Sequence, residues 1–178
     1  QQVFIPFCVG GGIGTIQDIR STILAGAEKV SLNSQAVKNP GLITEGARIF
    51  GNQCIVLGMD VRKDPTKPSG YGTTINGGRL DTGLDALEWA KKGVSLGAGE
   101  IVLNSMDADG TKEGYDIELT RMIAENVSVP VIASGGGGTP QHMADVLKEG
   151  KADAALIATM VHSGKYTVGG IKKDLDKL

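Results

Sequence analysis

Short apolar runs alternate with amphipathic stretches along almost the whole chain. Such runs are typical of parallel strands that are buried on both faces. Most of them are followed by apolar residues at helical spacing, often with a glycine after the last turn. We predict six strands, at residues 5–9, 29–33, 54–60, 100–104, 129–133 and 152–157, and six helices, at residues 15–25, 40–50, 83–96, 116–125, 141–149 and 168–178.

A polar insertion at residues 61–81 interrupts this alternation. It is rich in glycine, proline, lysine and aspartate, and it is too long for a plain connection. Residues 71–75 are followed by Asn76-Gly77, a dipeptide that is common in the turns of β-hairpins. We therefore predict a hairpin inside a segment that is functional or mobile.

Two stretches of the chain repeat each other. Residues 5–15 (IPFCVGGGIGT) align with residues 129–139 (VPVIASGGGGT), and the similarity continues from residues 27–34 to residues 152–159. The alternation of strands and helices fits either a doubly wound open sheet or a (βα)8 barrel. A two-strand block that returns four strands later favours a barrel built from two similar halves. We therefore predict an α/β fold of the TIM (βα)8-barrel family, with six βα units that correspond to barrel strands three to eight, in one partial-barrel domain over residues 1–178.

The repeat places a glycine turn after one strand and a small polar residue after the next. The first set is Gly12 with Asn33 and Ser34, and the second is Gly136 with Thr159. Glycines let the backbone approach a ligand, and the helix start that follows offers N–H groups to a phosphate. Barrel ligands bind at the carboxyl ends of the strands. The two sets predict a ligand with a phosphate at each end, and the alternative is that the glycines serve tight turns alone.

Charged residues lie at both ends of the predicted strands. Asp60 ends an apolar strand, where an unpaired carboxylate is costly to bury, and it is a candidate general acid/base. Its alternative role is to hold the following loop. Asp109 lies in the next loop, where Asp-Gly is equally consistent with a turn, and Asp107 is expected to order that loop. Lys29 and Glu100 begin strands, so they lie at the amino-terminal face, where charges usually serve stability.

Composition and charge exclude several classes of protein. The net charge of −2 gives no basic field for nucleic acid, and no apolar run is long enough to cross a bilayer. Cys8 and Cys54 lie in apolar runs without a cluster of cysteine and histidine, which predicts two free, buried thiols and no metal site. We expect a cytoplasmic protein that binds neither nucleic acid nor membrane.

Four longer motifs carry a resemblance to a known family. They are PFCVGGGI at residues 6–13, GAEKVSLNS at 26–34, SMDADGTKEGYD at 105–116 and ASGG at 133–136. Together they resemble the cyclase subunit of imidazole glycerol phosphate synthase, from histidine biosynthesis. The resemblance extends over the whole chain and implies a lyase with a TIM barrel.

The resemblance implies a substrate and a partner. Members of this family convert PRFAR, a nucleotide with two phosphates, and ammonia into imidazole glycerol phosphate and aminoimidazole carboxamide ribotide. A glutaminase partner docks at the amino-terminal face and supplies ammonia through the barrel. No cofactor and no metal are implied.

The resemblance also implies roles for single residues. Asp60 is one of two catalytic carboxylates, and Lys29 and Glu100 belong to a charged ring that gates the entry of ammonia. The residues implied to bind the substrate are Gly12, Asn33, Ser34, Asp109, Ser134, Gly135, Gly136, Ala158 and Thr159.

Part of the family's pattern is absent from this sequence. The first two βα units, with the other catalytic aspartate and the rest of the gate ring, would precede Gln1. The chain alone is therefore expected to have little or no cyclase activity, and its exposed edge strands are expected to favour self-association. Two alternatives stay open: a non-catalytic, phosphate-binding and self-associating barrel fragment, and the isomerase of the same pathway, which shares the two phosphate sites.

Overall fold

Strands and helices alternate along the computed structural model, which describes residues 3–178. The strands are β1 (Cys8–Gly10), β2 (Lys29–Leu32), β3 (Ile55–Lys63), β4 (Tyr71–Ile75), β5 (Leu80–Asp85), β6 (Glu100–Ser105), β7 (Val131–Ser134) and β8 (Ala154–Ala155). The helices are α1 (Ile16–Leu24), α2 (Ser34–Lys38), α3 (Gly41–Phe50), α4 (Ala86–Ser95), α5 (Ile117–Ala124), α6 (Pro140–Lys148), α7 (Thr159–His162) and α8 (Val168–Leu175).

Six of the strands form a parallel sheet in the order β1-β2-β3-β6-β7-β8. Strand order follows chain order, and helices connect successive parallel strands, as in one part of a (βα)8 barrel. The predicted α/β fold and its six βα units are therefore confirmed. β1 and β8 stand at the two ends of this order, and pairing of such edges between copies stays a prediction that light scattering can test.

The polar insertion is an ordered extension of the sheet. β3 continues three residues past Asp60, and β4 pairs with it in the antiparallel direction, with Asp60 opposite Thr74. β5 pairs with β4 and completes the predicted hairpin. Residues 83–85 belong to β5, so the prediction that they begin a helix is wrong. The helix begins later because the side chain of Asp85 accepts the N–H of Glu88 and caps α4.

Several predicted boundaries and faces differ from the structure. Ile5 is 73% exposed and precedes β1, because the ladder with β2 begins only at the pair Cys8–Lys29. Leu24 at the end of α1 is 80% exposed, because it lies about 100° around the helix from Ile23. The two short helices α2 and α7 were missed, since a single turn shows no periodicity.

Two hydrophobic clusters hold these elements together. The larger lies between the strands and helices α1–α5 and includes the buried side chains of Ile19, Ile43, Leu57 and Leu103. The smaller lies under α6, α7 and α8 and includes Ile171. The strands are thus fixed from the sides, which leaves their carboxyl ends free to form a site.

The glycine turn after β1 leads into a helix that its own residues cap. The carboxylate of Asp18 accepts the N–H groups of Gly14 (3.0 Å) and Thr15 (2.9 Å), and Thr15 Oγ1 accepts the N–H of Asp18. Thr139 caps α6 by accepting the N–H of His142. The expectation that these helix starts present unpaired N–H groups is therefore wrong for the groups that the caps use.

The capping carboxylate makes stability depend on pH. The N–H of Gly14 and then the hydrogen bond with Thr15 hold the pKa of Asp18 below its ordinary value. A lowered pKa contributes stability that is present above the unfolded-state pKa of about 3.9 and is lost as the pH falls through the folded-state pKa. We expect Asp18→Ala to lower the urea midpoint at neutral pH, and this difference should disappear in acid. A difference that is constant with pH would contradict this cap.

Candidate active site

The carboxyl ends of the central strands surround a cavity of about 560 Å³. Cross-strand register places Asp60 of β3 beside Asn104 of β6, and Asn104 beside Ser134 of β7. Asn33 directly follows β2. The polar part of the lining includes Asn33, Ser34, Lys38, Asp60, Asn76 and Asn104. We name this space the main cavity.

Two amides hold the carboxylate of Asp60 in the main cavity. Asn33 Nδ2 donates to one carboxylate oxygen at 3.0 Å, and Asn104 Nδ2 donates to the other at 3.3 Å. The residue is half-buried, and it lines the cavity. Because a carboxylate can accept about four hydrogen bonds, lone pairs remain for a ligand. The two amides therefore fix the plane of the carboxylate without occupying it fully.

Asn104 was missed in the sequence analysis. It lies near the end of β6 at the same height as Asp60 on the neighbouring strand. The signal that could have found it is a polar residue near the end of an apolar parallel strand, the same pattern that singled out Asp60. Its side chain connects the carboxylate to the loop that follows, because Nδ2 also lies 3.4 Å from Met106 Sδ.

The first glycine turn borders the main cavity with open space around it. Gly11 and Gly12 have φ angles of 89° and 74°, which favour glycine. A Cβ on either residue would meet no heavy atom within 4 Å. Ser34 and Lys38 of α2 line the same cavity. This end of the cavity therefore combines an accessible backbone with a hydroxyl and a cation.

The second glycine turn borders a smaller cavity of about 40 Å³. We name it the minor cavity. Its lining also includes a cation, Lys112, and a hydroxyl residue, Thr159, together with Asp109, Gly110 and residues 134–137 and 156–158. Ser134 lines both cavities, so the two adjoin.

The glycines of the second turn are also required by packing. Gly135 and Gly136 have φ angles of 91° and 94°, and a Cβ on Gly136 would overlap the carbonyl oxygen of Gly114. Gly114 N–H donates to Gly136 O at 2.9 Å. Tyr115 holds the same loop by donating to Leu156 O at 3.0 Å. Burial raises the pKa of Tyr115 to about 12, so it remains a donor at neutral pH.

The residues implied to bind the substrate divide between the two cavities. Gly12, Asn33 and Ser34 lie with Asp60 in the main cavity, and Ser134 is shared. The minor cavity is lined by Asp109, Gly135, Gly136, Ala158 and Thr159. Asp109 is exposed and lies in a different cavity from Asp60. Asp107 lines neither cavity and accepts the N–H of Lys63 at 2.7 Å, which agrees with its predicted role in ordering the loop.

Lys29 begins β2 and Glu100 begins β6, so both lie at the strand ends away from the main cavity, where they form an ion pair. The side chain of Glu100 is 13% exposed and that of Lys29 is 37% exposed. Cys8 pairs with Lys29 in the ladder between β1 and β2 and is exposed, so the prediction of a buried thiol is wrong there. Cys54 is partly buried, and both thiols are free.

Among residues 3–178, no group of three or more His, Cys, Asp and Glu side chains is placed to hold a metal ion. None of the helices formed by these residues has the length and apolar character needed to cross a membrane.

The fold and the site together define the class of protein. Parallel strands of a barrel-type sheet end at a polar cavity that contains a carboxylate, and two glycine turns border that cavity and its neighbour. In TIM barrels the active site lies at this end of the strands. The chain is an enzyme of the TIM-barrel class.

The chain belongs to the family of histidine biosynthesis proteins, whose model matches residues 1–167. It is 66% identical to the imidazole glycerol phosphate synthase subunit HisF of Desulfatibacillum aliphaticivorans, over 98% of this chain and 68% of the relative. It is 62% identical to the subunit of the same name from Syntrophobacter fumaroxidans, over 99% of this chain and 69% of the relative. These findings confirm the family expected from the motifs, and they confirm an enzyme of histidine biosynthesis.

Proposed function

We propose that this chain binds PRFAR across both cavities and uses Asp60 in its ammonia-dependent conversion to imidazole glycerol phosphate and aminoimidazole carboxamide ribotide. The observation that carries the proposal is the pairing of the cavities. Each has a glycine turn, a lysine and a hydroxyl residue, and the two meet at Ser134. A ligand with a phosphate at each end matches this arrangement.

The chemistry assigned to Asp60 is proton transfer. Attack of ammonia on a carbonyl carbon leaves excess protons on the nitrogen, and a base must take them as the carbonyl oxygen leaves as water and the nitrogen closes the ring. A carboxylate with free lone pairs in a cavity can accept such a proton as a general base. Asn33 and Asn104 hold the carboxylate oxygens of Asp60 in one orientation, which suits this role.

The ion pair at the other end of the strands suits the entry of ammonia. We propose that Lys29 and Glu100 lie on the path from a glutaminase partner that docks at the amino-terminal face. The relatives are named as a subunit of a synthase, which supports a partner. Glu100 is largely buried, with Lys29 as its partner, and we propose that this pair separates when ammonia enters.

Calorimetric titration with PRFAR tests the two-phosphate mode of binding. Lys38→Met and Lys112→Met each remove one cation from one cavity, and each should weaken binding by about tenfold or more, since a hydrogen bond to a charged group contributes about 1.5–3 kcal/mol. The losses should add in the double variant if the cavities bind separate phosphates.

Lys173→Met is the matched control for this titration. Lys173 is exposed on α8 and lines neither cavity. Its replacement should change the affinity by no more than about twofold. Equal losses in all three single variants would show a general charge effect and would contradict the proposed site.

A further inference from the structure

The β4–β5 hairpin is attached to the main cavity at its tip. Asn76 lines that cavity, and its backbone N–H donates to Ser34 Oγ at 3.1 Å. Two residues before Asn76, Thr74 Oγ1 donates to the carbonyl oxygen of Asp60 at 3.1 Å. The hairpin thus contacts site residues of two neighbouring strands, Ser34 directly after β2 and Asp60 in β3.

The tip has a defined conformation. Asn76, Gly77 and Gly78 have φ angles of 56°, 67° and 78°, and Arg79 N–H donates back to Ile75 O at 3.1 Å. Asparagine and glycine tolerate this region best. A Cβ on Gly78 would meet the methyl group of Met106, so the tip packs closely on that side chain.

The hydrogen bond from Asn76 determines what Ser34 can offer to a ligand. A serine hydroxyl has one O–H donor and two acceptor lone pairs. Accepting the N–H of Asn76 occupies an acceptor position and turns the hydroxyl proton away from the hairpin. Ser34 lines the main cavity, so the proton is available there to an anionic oxygen.

We propose that Asn76 is a positioning residue for anion binding: its backbone N–H orients the Ser34 hydroxyl so that it donates to a phosphate in the main cavity. This inference rests on the proposed function, because it requires a phosphate at Ser34. It assigns a role in ligand binding to the hairpin, which was expected from sequence only to be functional or mobile.

Affinity for PRFAR in a double-mutant cycle tests the inference. Ser34→Ala removes the hydroxyl, and Asn76→Pro removes the N–H that orients it. Each change should weaken binding by about tenfold, and the double variant should be no weaker than Ser34→Ala alone, because both changes remove one donor.

A simple distortion of the turn gives a different result. Proline does not adopt the φ of Asn76, so Asn76→Pro also strains the tip. If strain alone weakens binding, the loss persists in the Ser34→Ala background, which would overturn the inference. Gly77→Ala strains the same turn, keeps the N–H of Asn76 and meets no neighbour within 4 Å, and it should leave the affinity within about twofold.

Amide chemical shifts give a second measurement, in which Asn76 itself is not substituted. Titration with PRFAR should shift the Asn76 amide proton, and in Ser34→Ala this shift should be lost. A Ser34 amide that responds while Asn76 does not would overturn the inference. If Ser34→Ala binds PRFAR as tightly as the parent, the phosphate is not at Ser34, and the proposed function fails at this position instead.

Discussion

Replacing Asp60 by asparagine should lower the rate of ammonia-dependent PRFAR conversion, which is expected to be low already in the parent chain, by about 10²–10⁴-fold, the usual contribution of a general acid/base. The amide cannot take a proton at neutral pH. It also places an NH₂ group opposite one of the two amide donors, Asn33 and Asn104, that now contact the carboxylate. Product formation with enzyme in excess over substrate lets even slow conversion be measured.

Asp107→Asn is the matched control for Asp60→Asn. Asp107→Asn makes the same change from carboxylate to amide in the loop that follows β6, outside both cavities. Its new amide oxygen can still accept the N–H of Lys63, so the rate should change by no more than a few-fold. Affinity for PRFAR should be similar in the parent and in both variants. A rate for Asp60→Asn close to that of the control would remove Asp60 from the mechanism.

The two glycine turns should respond very differently to the same substitution. Gly136→Ala should lower the free energy of unfolding by about 2–5 kcal/mol, since the methyl group adds overlap with the Gly114 carbonyl to the strain of a positive φ. Gly12→Ala should cost only about 1–2 kcal/mol, the strain alone, because its surroundings are open.

Urea denaturation measures both stability losses, and PRFAR titration separates their effects on binding. Gly12→Ala should fold and bind PRFAR more weakly, because Gly12 lines the main cavity. Equal stability losses in the two variants would show that the turns are packed alike, contrary to the structure. An unchanged affinity in Gly12→Ala would argue that the first glycine turn has a structural role only and does not bind the ligand.

The sequence predicted these turns as equivalents, and the reason they differ is tertiary. Both motifs show an apolar strand, then glycines, then a threonine at the start of a helix. The local sequence does not show what packs against either turn. The loop at residues 105–115 packs on the second turn, through Gly114 and Tyr115, whereas Gly11 and Gly12 of the first turn have open space around them. Which loop covers which turn depends on strand order, and this is not visible in either motif.

Asp60 and Asn104 illustrate the same limit within the site. Asp60 could be found because a carboxylate at the end of an apolar strand is unusual by itself. Asn104 has the same position on its strand, but a neutral amide is unremarkable until register brings it beside the carboxylate, 44 residues away along the chain. Asn76 was recognised as turn chemistry, and only the fold of the hairpin places its N–H at Ser34.

The wall that Ser134 shares between the two cavities has a consequence for turnover. A ligand anchored at both ends gains avidity, because the second phosphate binds at a high effective concentration once the first is held. With PRFAR bound across both cavities as proposed, its cleavage gives two molecules with one phosphate each, so we expect this gain to be lost in the bond-breaking step itself. We then expect each product to dissociate with the affinity of a single anchor.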